Sequence, residues 1–155
     1  MDNVHYIVPR VVSDSPKKLD RHSRYIDQLV TMATAIEDAV GSSRIAAAIV
    51  MHNKVVSYGL CQYKTHPLQS KFSRNDLAIY LHAETCAIKN ALRSLELPDL
   101  LKCTMYIARA KYTDENKTRF TQGLAKPCCG CARAIATFGI KRVVYSLDNE
   151  GWEST

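Results

Sequence analysis

The sequence predicts an α/β fold in which one mixed β-sheet lies between two layers of helices. Two short apolar runs, 44–51 and 55–60, flank a polar triplet at 52–54, which indicates an antiparallel hairpin. Between residues 83 and 147, segments with helical and strand-like spacing alternate, and crossovers of this kind place strands parallel. We therefore expect a three-layer α/β/α sandwich whose sheet starts as an antiparallel hairpin and continues parallel.

The first predicted element is a helix between Ser15 and Gly41. Ser15 is the expected N-cap, Pro16 lies in the first turn, and Gly41 closes the helix. Its apolar residues recur at helical spacing: Tyr25, Ile26, Leu29, Met32, Ala33, Ile36 and Val40. Residues 1–14 precede it as an N-terminal arm. In the hairpin that follows, the run Ala46-Ala47-Ala48 has helix propensity, so the strand prediction depends on length and neighbours.

Two more helices and two more strands complete the predicted order α, β, β, α, β, α, β. Residues 83–95 keep helical spacing until Leu97-Pro98-Asp99 ends the run, and a second helix follows Pro127 and stops at Gly139. The strand candidates are residues 103–110 and 140–147. Two polar stretches, 62–80 and 111–126, show no sustained period and are predicted to be loops.

Composition narrows the class of protein. A chain of 155 residues, 46% of them apolar, fits a single domain at 1–155, with its core at 15–147 and a tail at 148–155. No run approaches the roughly 18 apolar residues of a membrane span, and the first ten residues lack the apolar block of a secretory signal. We therefore expect a cytoplasmic protein without a membrane partner.

The formal net charge of +6 favours an anionic partner. That partner is a nucleotide phosphate or a nucleic acid, unless the charge only gives a solvated basic surface. The cysteines are more specific, because three of the six crowd into positions 128–131. In an intracellular chain, such a cluster indicates metal binding or chemistry rather than a disulfide framework.

Two short patterns at predicted helix starts indicate a zinc site: His82-Ala83-Glu84 and Pro127-Cys128-Cys129-Gly130-Cys131. His82, Cys128 and Cys131 supply three tetrahedral positions and leave the fourth for water, which is the arrangement of a catalytic zinc site. The unsatisfied N–H groups and the dipole of a first helical turn also favour thiolate over thiol. Alone, the C-x-x-C pattern also fits a redox pair or half of a structural zinc site, and Cys129 with Cys131 is an alternative ligand pair.

Glu84 follows His82 by two residues and is the expected proton shuttle. Zinc lowers the pKa of its water from about 15.7 to about 7, so that hydroxide is available at neutral pH. Glu84 takes the water proton, gives it to a ring nitrogen, and later protonates the departing ammonia. Cys86 lies one turn after His82 and, like Cys103, is expected in the core.

These two patterns resemble the zinc motifs of the cytidine deaminase superfamily, and within it of the deoxycytidylate deaminase-like branch. The resemblance covers roughly residues 20–147 and includes Ala87-Ile88 after the first motif and Gly139-Ile140-Lys141 after the second. It implies a cytidine-deaminase-like sandwich, bound Zn²⁺, hydrolytic deamination and a homo-oligomer.

The chain departs from the family in two places. Family members often carry an asparagine after the second strand that contacts sugar or base, whereas this chain has Gly59-Leu60-Cys61. The connection before Pro127 is also longer than usual, so that residues 111–126 are expected to form a lid or a subunit contact. We expect the family's fifth strand to be absent or very short.

The expected substrate is a small nucleotide, with dCMP converted to dUMP and ammonia. Lys64, Lys71 and Arg74 precede the first zinc motif and are candidates for holding a phosphate, together with the neighbouring Asn75. The alternatives are a deaminase of another nucleobase, nucleoside or RNA base, such as cytidine, adenosine or guanine, and a non-catalytic zinc-stabilised binding module. A nucleic-acid partner is not favoured, because the stacking candidates are dispersed: Tyr58, Tyr63, Phe72 and Tyr80.

Overall fold

A computed structural model of the protein describes residues 20–155. The helices are α1 (Arg21–Thr34), α2 (Pro67–Phe72), α3 (Ala83–Ala91) and α4 (Cys129–Thr137), with a 3₁₀ helix at Leu97–Lys102. The strands are β1 (Arg44–Met51), β2 (Lys54–Leu60), β3 (Cys103–Tyr112), β4 (Phe120–Gly123), β5 (Arg142–Ser146) and β6 (Trp152–Ser154). The N-terminal arm, Ser15 and Pro16 lie outside the described residues.

The sheet is mixed, as predicted, with the strand order β2-β1-β3-β5-β6. β1 pairs antiparallel with β2 and with β3, whereas β3 pairs parallel with β5. The hairpin turn is tight because His52 and Asn53 both have positive φ, at 53° and 65°, which suits the right-handed twist of its strands. In the described part of the chain, the parallel portion is the β3–β5 pair alone.

Side chains along the central strands point alternately to the two faces of the sheet, and each face therefore carries its own hydrophobic core. On one face, Ile26, Leu29 and Ala33 of α1 pack against small strand residues such as Ala46 and Ala108. On the other face, α3 and α4 pack against the intervening positions: Ala47, Ile49, Met105, Ile107, Val143 and Tyr145. The predicted α/β/α layering is therefore confirmed.

The first helix is shorter than predicted. Asp20 is the N-cap, since its carboxylate accepts a hydrogen bond from the Ser23 N–H at 2.8 Å. The helix ends at Thr34, and Gly41 lies instead in a turn with φ of +61°, directly before β1. The apolar residues at 36 and 40 continued the helical spacing, although the chain has to reverse there to enter the sheet.

Both polar stretches predicted as loops contain regular structure. The first, 62–80, contains α2, and the second, 111–126, contains β4, which pairs antiparallel with the last four residues of β3. α3 ends at Ala91, four residues before the predicted end at 95, and the 3₁₀ helix begins after that prediction, at Leu97. Beyond β5, the three-residue strand β6 agrees with the expectation of a very short last strand. None of the helices in residues 20–155 combines the length and the hydropathy that crossing a membrane requires.

Candidate metal centre and active site

The N-termini of α3 and α4 bring the predicted metal ligands together. His82 is the N-cap residue of α3, Cys128 is the N-cap residue of α4, and Cys131 lies in the first turn of α4. The His82 Nδ1 atom is 3.2 Å from the Cys131 Sγ atom and 3.8 Å from the Cys128 Sγ atom. All three donor atoms lie within 4.8 Å of one another.

This donor set fits a zinc ion. With Zn–S bonds of about 2.3 Å and Zn–N bonds of about 2.0 Å, tetrahedral coordination places N and S roughly 3.5 Å apart, and the two N···S distances lie on either side of that value. Three donors leave one tetrahedral position for water or substrate. The six cysteines are all free thiols, so no disulfide competes for Cys128 or Cys131.

The protonation of the two ligand cysteines is unequal. The hydrogen bond from the Cys131 thiol, followed by that from His82, lowers the pKa of Cys128 to about 3. The same bond raises the pKa of Cys131, and burial raises it further. The hydrogen bond with Cys128 also raises the pKa of His82. Cys128 is therefore a thiolate at neutral pH, which is the form that ligates a metal.

Glu84 lies in the first turn of α3, beside the three donor atoms. Its side chain is 5% exposed, and burial raises its pKa above the ordinary value for a glutamate. The nearby His82 opposes that rise, because a positive charge there favours the carboxylate. A carboxyl group with a raised pKa is suited to accept and return a proton near neutral pH.

Gln69 of α2 holds the start of α3 in place. Its side-chain Oε1 accepts hydrogen bonds from the His82 backbone N–H at 3.1 Å and from the Thr85 hydroxyl at 2.6 Å. Gln69 is 1% exposed, so these bonds are shielded from water. Sequence reasoning missed this residue, although His66-Pro67, an N-cap followed by proline at the first helical position, is a helix-start signal.

Gly130 allows α2 to approach α4 closely. A Cβ atom at this position would lie 2.1 Å from the backbone oxygen of Phe72, the last residue of α2. In the pattern Cys-Cys-Gly-Cys, the glycine between the two ligand cysteines is therefore required for the packing of α2 against α4. Cys129 is exposed and is not one of the three residues whose donor atoms cluster, while Cys86 and Cys103 are buried, as predicted.

A cavity of about 200 Å³ opens onto the metal centre, and it is lined by Glu84, His82 and Cys128 among others. Three cationic side chains also line it, namely Arg74, Arg109 and Lys126. Cys61, the residue that stands near the family's usual asparagine, lines it as well, and burial raises its pKa to about 11. The thiol of Cys61 is therefore neutral.

Of the four predicted substrate contacts, Arg74 lies in this cavity wall. The Lys71 ammonium lies 5.6 Å from the centroid of the Phe72 ring, beside a different surface depression. Asn75 caps a turn, since its side-chain oxygen accepts from the N–H groups of Leu77 and Ala78, and Lys64 is exposed. Substrate roles for all four residues, Lys64, Lys71, Arg74 and Asn75, stay predictions. Arg109 and Lys126 are lining residues that sequence reasoning missed.

Comparison with known proteins extends this picture. Residues 19–147 match the model of the cytidine and deoxycytidylate deaminase zinc-binding region. A structural match is the apo dCMP deaminase of cyanophage S-TIM5, at 19% identity over 81% of this chain and 82% of that chain, with a TM-score of 0.54. A sequence search of curated proteins gave no match.

A second structural match is the diaminohydroxyphosphoribosylaminopyrimidine deaminase/5-amino-6-(5-phosphoribosylamino)uracil reductase of Thermotoga maritima. The identity is 20% over 83% of this chain, the TM-score is 0.51, and the matched region is 30% of that longer protein. At these identities the two structures show a shared fold.

Proposed function

The chain belongs to the cytidine and deoxycytidylate deaminase family, and from this premise we propose that it converts a cytosine nucleotide, dCMP in the first place, to its uracil counterpart and ammonia. The family assignment makes it a zinc-dependent hydrolytic deaminase. The observation that carries the proposal is the buried Glu84 beside His82, Cys128 and Cys131, at the base of a cavity with a cationic wall.

His82, Cys128 and Cys131 would hold the zinc ion, whose contribution when bound is to make water acidic enough to attack at neutral pH. Glu84 removes one proton from the attacking water and gives it to ring nitrogen N3, while the water oxygen bonds to C4. It then carries the second water proton to the amino group. The C4–N bond breaks, ammonia leaves, and the water oxygen remains as the C4 carbonyl.

Burial of Glu84 supports this role. A fully solvated glutamate remains deprotonated near pH 7 and returns a proton poorly, whereas burial raises the pKa of Glu84 and so favours its protonated form. A non-catalytic zinc-stabilised module has no use for a buried carboxyl group beside an open coordination position. The enzymatic alternative is therefore the one that the site supports.

The cationic side chains Arg74, Arg109 and Lys126 support a phosphorylated substrate. A nucleoside or a free base carries no negative charge to match them, while a nucleoside monophosphate carries about two negative charges.

A homo-oligomer also remains part of the proposal. It is supported by exposed apolar side chains such as Leu77, 89% exposed, and its mass in solution is measurable by light scattering. A cytoplasmic location stays a prediction.

The experiment is to measure ammonia release by the zinc-loaded protein from dCMP, CMP, cytidine, deoxycytidine, adenosine and guanine. We expect dCMP to be the best substrate.

In Glu84→Gln, turnover is expected to fall by about 100-fold or more because the proton shuttle is lost, while zinc content stays at the wild-type level. The exposed Glu150 offers a matched control, Glu150→Gln, with unchanged turnover. Ammonia release from none of the six compounds, or full activity of Glu84→Gln, would contradict the proposal.

A further inference from the structure

Arg109 lies where β3 and β4 pair beside the cavity. Its partner across the strand pair is Gly123, and a Cβ atom at Gly123 would lie 3.2 Å from Cδ and 3.3 Å from Cγ of Arg109. The aliphatic part of Arg109 therefore lies across the space that the glycine leaves open. Buried Ser146 fixes the pair, since its Oγ accepts from the Arg109 N–H at 3.2 Å and donates to the Gly123 carbonyl at 2.7 Å.

The guanidinium group of Arg109 has unused hydrogen-bonding capacity. Its Nε atom is buried and has no hydrogen-bond partner within residues 20–155. The carboxylate of Asp148 is close enough for the charge of Arg109 to act on it. That carboxylate, however, accepts from the Lys111 ammonium at 2.8 Å and from the Leu124 N–H at 3.1 Å. No hydrogen bond at Nε commits the guanidinium group to the protein, and Arg109 lines the cavity, so its remaining N–H donors are the ones that a ligand there would meet.

The charges around the cavity select the kind of ligand. Among the described residues that line the cavity, three have cationic side chains, namely Arg74, Arg109 and Lys126. One lining residue, Glu84, has a carboxyl group. A planar guanidinium presents a fixed fork of N–H donors, which matches the oxygens of a phosphate group. Lys126 comes from the long connection before Pro127, so both Arg109 and Lys126 depend on the arrangement of the segment that contains β4.

We propose that Arg109 is a specificity-determining residue, which binds the substrate phosphate and makes the enzyme select nucleoside monophosphates over nucleosides. Arg74 and Lys126 add charge at the same site. This inference rests on the proposed deaminase function, because it assigns the group that recognises the nonreacting end of the same substrate.

The test compares binding of dUMP and deoxyuridine, the products with and without phosphate, to the zinc-loaded protein by calorimetry. Arg109→Gln is expected to weaken dUMP binding by about 10- to 100-fold, the loss typical of a charge-assisted hydrogen bond, and to leave deoxyuridine binding unchanged. Arg109→Lys keeps the charge but not the fork and is expected to lose less. Arg93→Gln removes an exposed arginine in the turn after α3 and is expected to bind dUMP like the wild type.

Kinetics gives an independent readout of the same role. In Arg109→Gln, the KM for dCMP is expected to rise by a similar factor with little change in kcat, while both constants for deoxycytidine stay at the wild-type values. Melting temperatures show whether each variant is folded. If Arg109→Gln is not folded, the comparison is made with Arg109→Lys.

Two outcomes would overturn the inference. One is a wild-type protein that binds dUMP no more tightly than deoxyuridine, and the other is an Arg109→Gln or Arg109→Lys protein that loses affinity for both products equally or for neither. Failure of the deaminase function is recognised separately, as absence of ammonia release by the wild type. A wild type that deaminates deoxycytidine but does not discriminate by phosphate contradicts the role of Arg109 alone.

Discussion

Residues 62–80 and 111–126 are both polar, yet they serve the site in different ways. The first stretch packs inward through α2, where Gln69 and Phe72 are 1% and 7% exposed, and it supports the start of α3. The second pairs along the sheet through β4, whose residues are mostly half-buried, and it brings Lys126 to the cavity beside Arg109. The comparison separates the buried contacts of α2, which support α3, from Lys126, which joins the cavity wall. Substitutions of the buried residues of α2 should therefore change stability, and substitution of Lys126 should change substrate affinity.

The largest effect is expected at the contact between α2 and α4. In Gly130→Ala, the added Cβ would meet the Phe72 carbonyl at 2.1 Å, so the backbone of one helix has to move. We expect a loss of about 3 kcal/mol in the free energy of unfolding and a reduced zinc content, measured by chemical denaturation and metal analysis. Ala132→Ser, an exposed position on the same helix, is the control. A Gly130→Ala protein with wild-type stability would show that α2 does not support the metal site.

The next effect is expected at Gln69. In Gln69→Leu, the His82 N–H loses its buried acceptor and the Thr85 hydroxyl keeps only the His82 carbonyl, at a cost of about 2 kcal/mol in unfolding free energy. Thr85→Val removes one donor to the same oxygen, so a double-mutant cycle of the two changes measures their coupling. Additive effects would contradict the shared hydrogen-bond network.

A smaller effect, on affinity rather than stability, is expected in the second stretch. Lys126→Gln removes a charge from the cavity wall, and we expect the KM for dCMP to rise about fivefold, or about 1 kcal/mol, with an unchanged melting temperature. Lys54→Gln removes a charge from an exposed residue of β2 outside the lining set, and kinetics of the two variants should differ. Equal effects would mean that general surface charge, not the cavity wall, attracts the substrate.

The smallest effect is expected for the ion pair between Lys111 and Asp148, which lies beside β4. The hydrogen bond from the Lys111 ammonium lowers the pKa of Asp148 in the folded protein. The ion pair therefore stabilises the folded protein at pH values above the pKa of an aspartate in the unfolded chain, about 4. This stabilisation is lost as the pH falls through the lower pKa that Asp148 has in the folded protein. Thermal unfolding of wild type and Asp148→Asn should differ slightly at pH 7 and converge in strong acid. A difference that persists at the lowest pH would contradict this assignment.

The chemistry-bearing residues were predictable because short local patterns place them at helix starts, while their meeting across 46 and 49 positions of the chain was implied by the resemblance to the deaminase family. His82, Glu84, Cys128 and Cys131 lie at the starts of two helices, and the spacing within each motif decides which side chains face one another. The faces of the central strands were predictable for a similar reason, since alternate positions enter opposite cores.

The supporting and recognition residues were not predictable in this way. Gln69 is a polar residue whose burial depends on donors from α3, 13 and 16 positions away. Arg109 reaches the cavity because β3 pairs with β4 in one register, opposite a glycine. The end of α1 was missed because helical spacing continued past Thr34, while the entry into β1 required a turn. In each case a long-range contact, rather than local propensity, decides the outcome.

Cys128 occupies the N-cap position of α4, where its sulfur accepts from the Cys131 N–H at 3.5 Å. Its sulfur is therefore already positioned by the helix on which it acts as a cap, and the backbone of His82 is held by the side chain of Gln69. In small zinc modules the ion creates the fold, so that chelation unfolds them. Here α3 and α4, which carry the ligands, pack into a hydrophobic core of buried residues, and we therefore expect the apoprotein to remain folded and to be reversibly reloaded with metal.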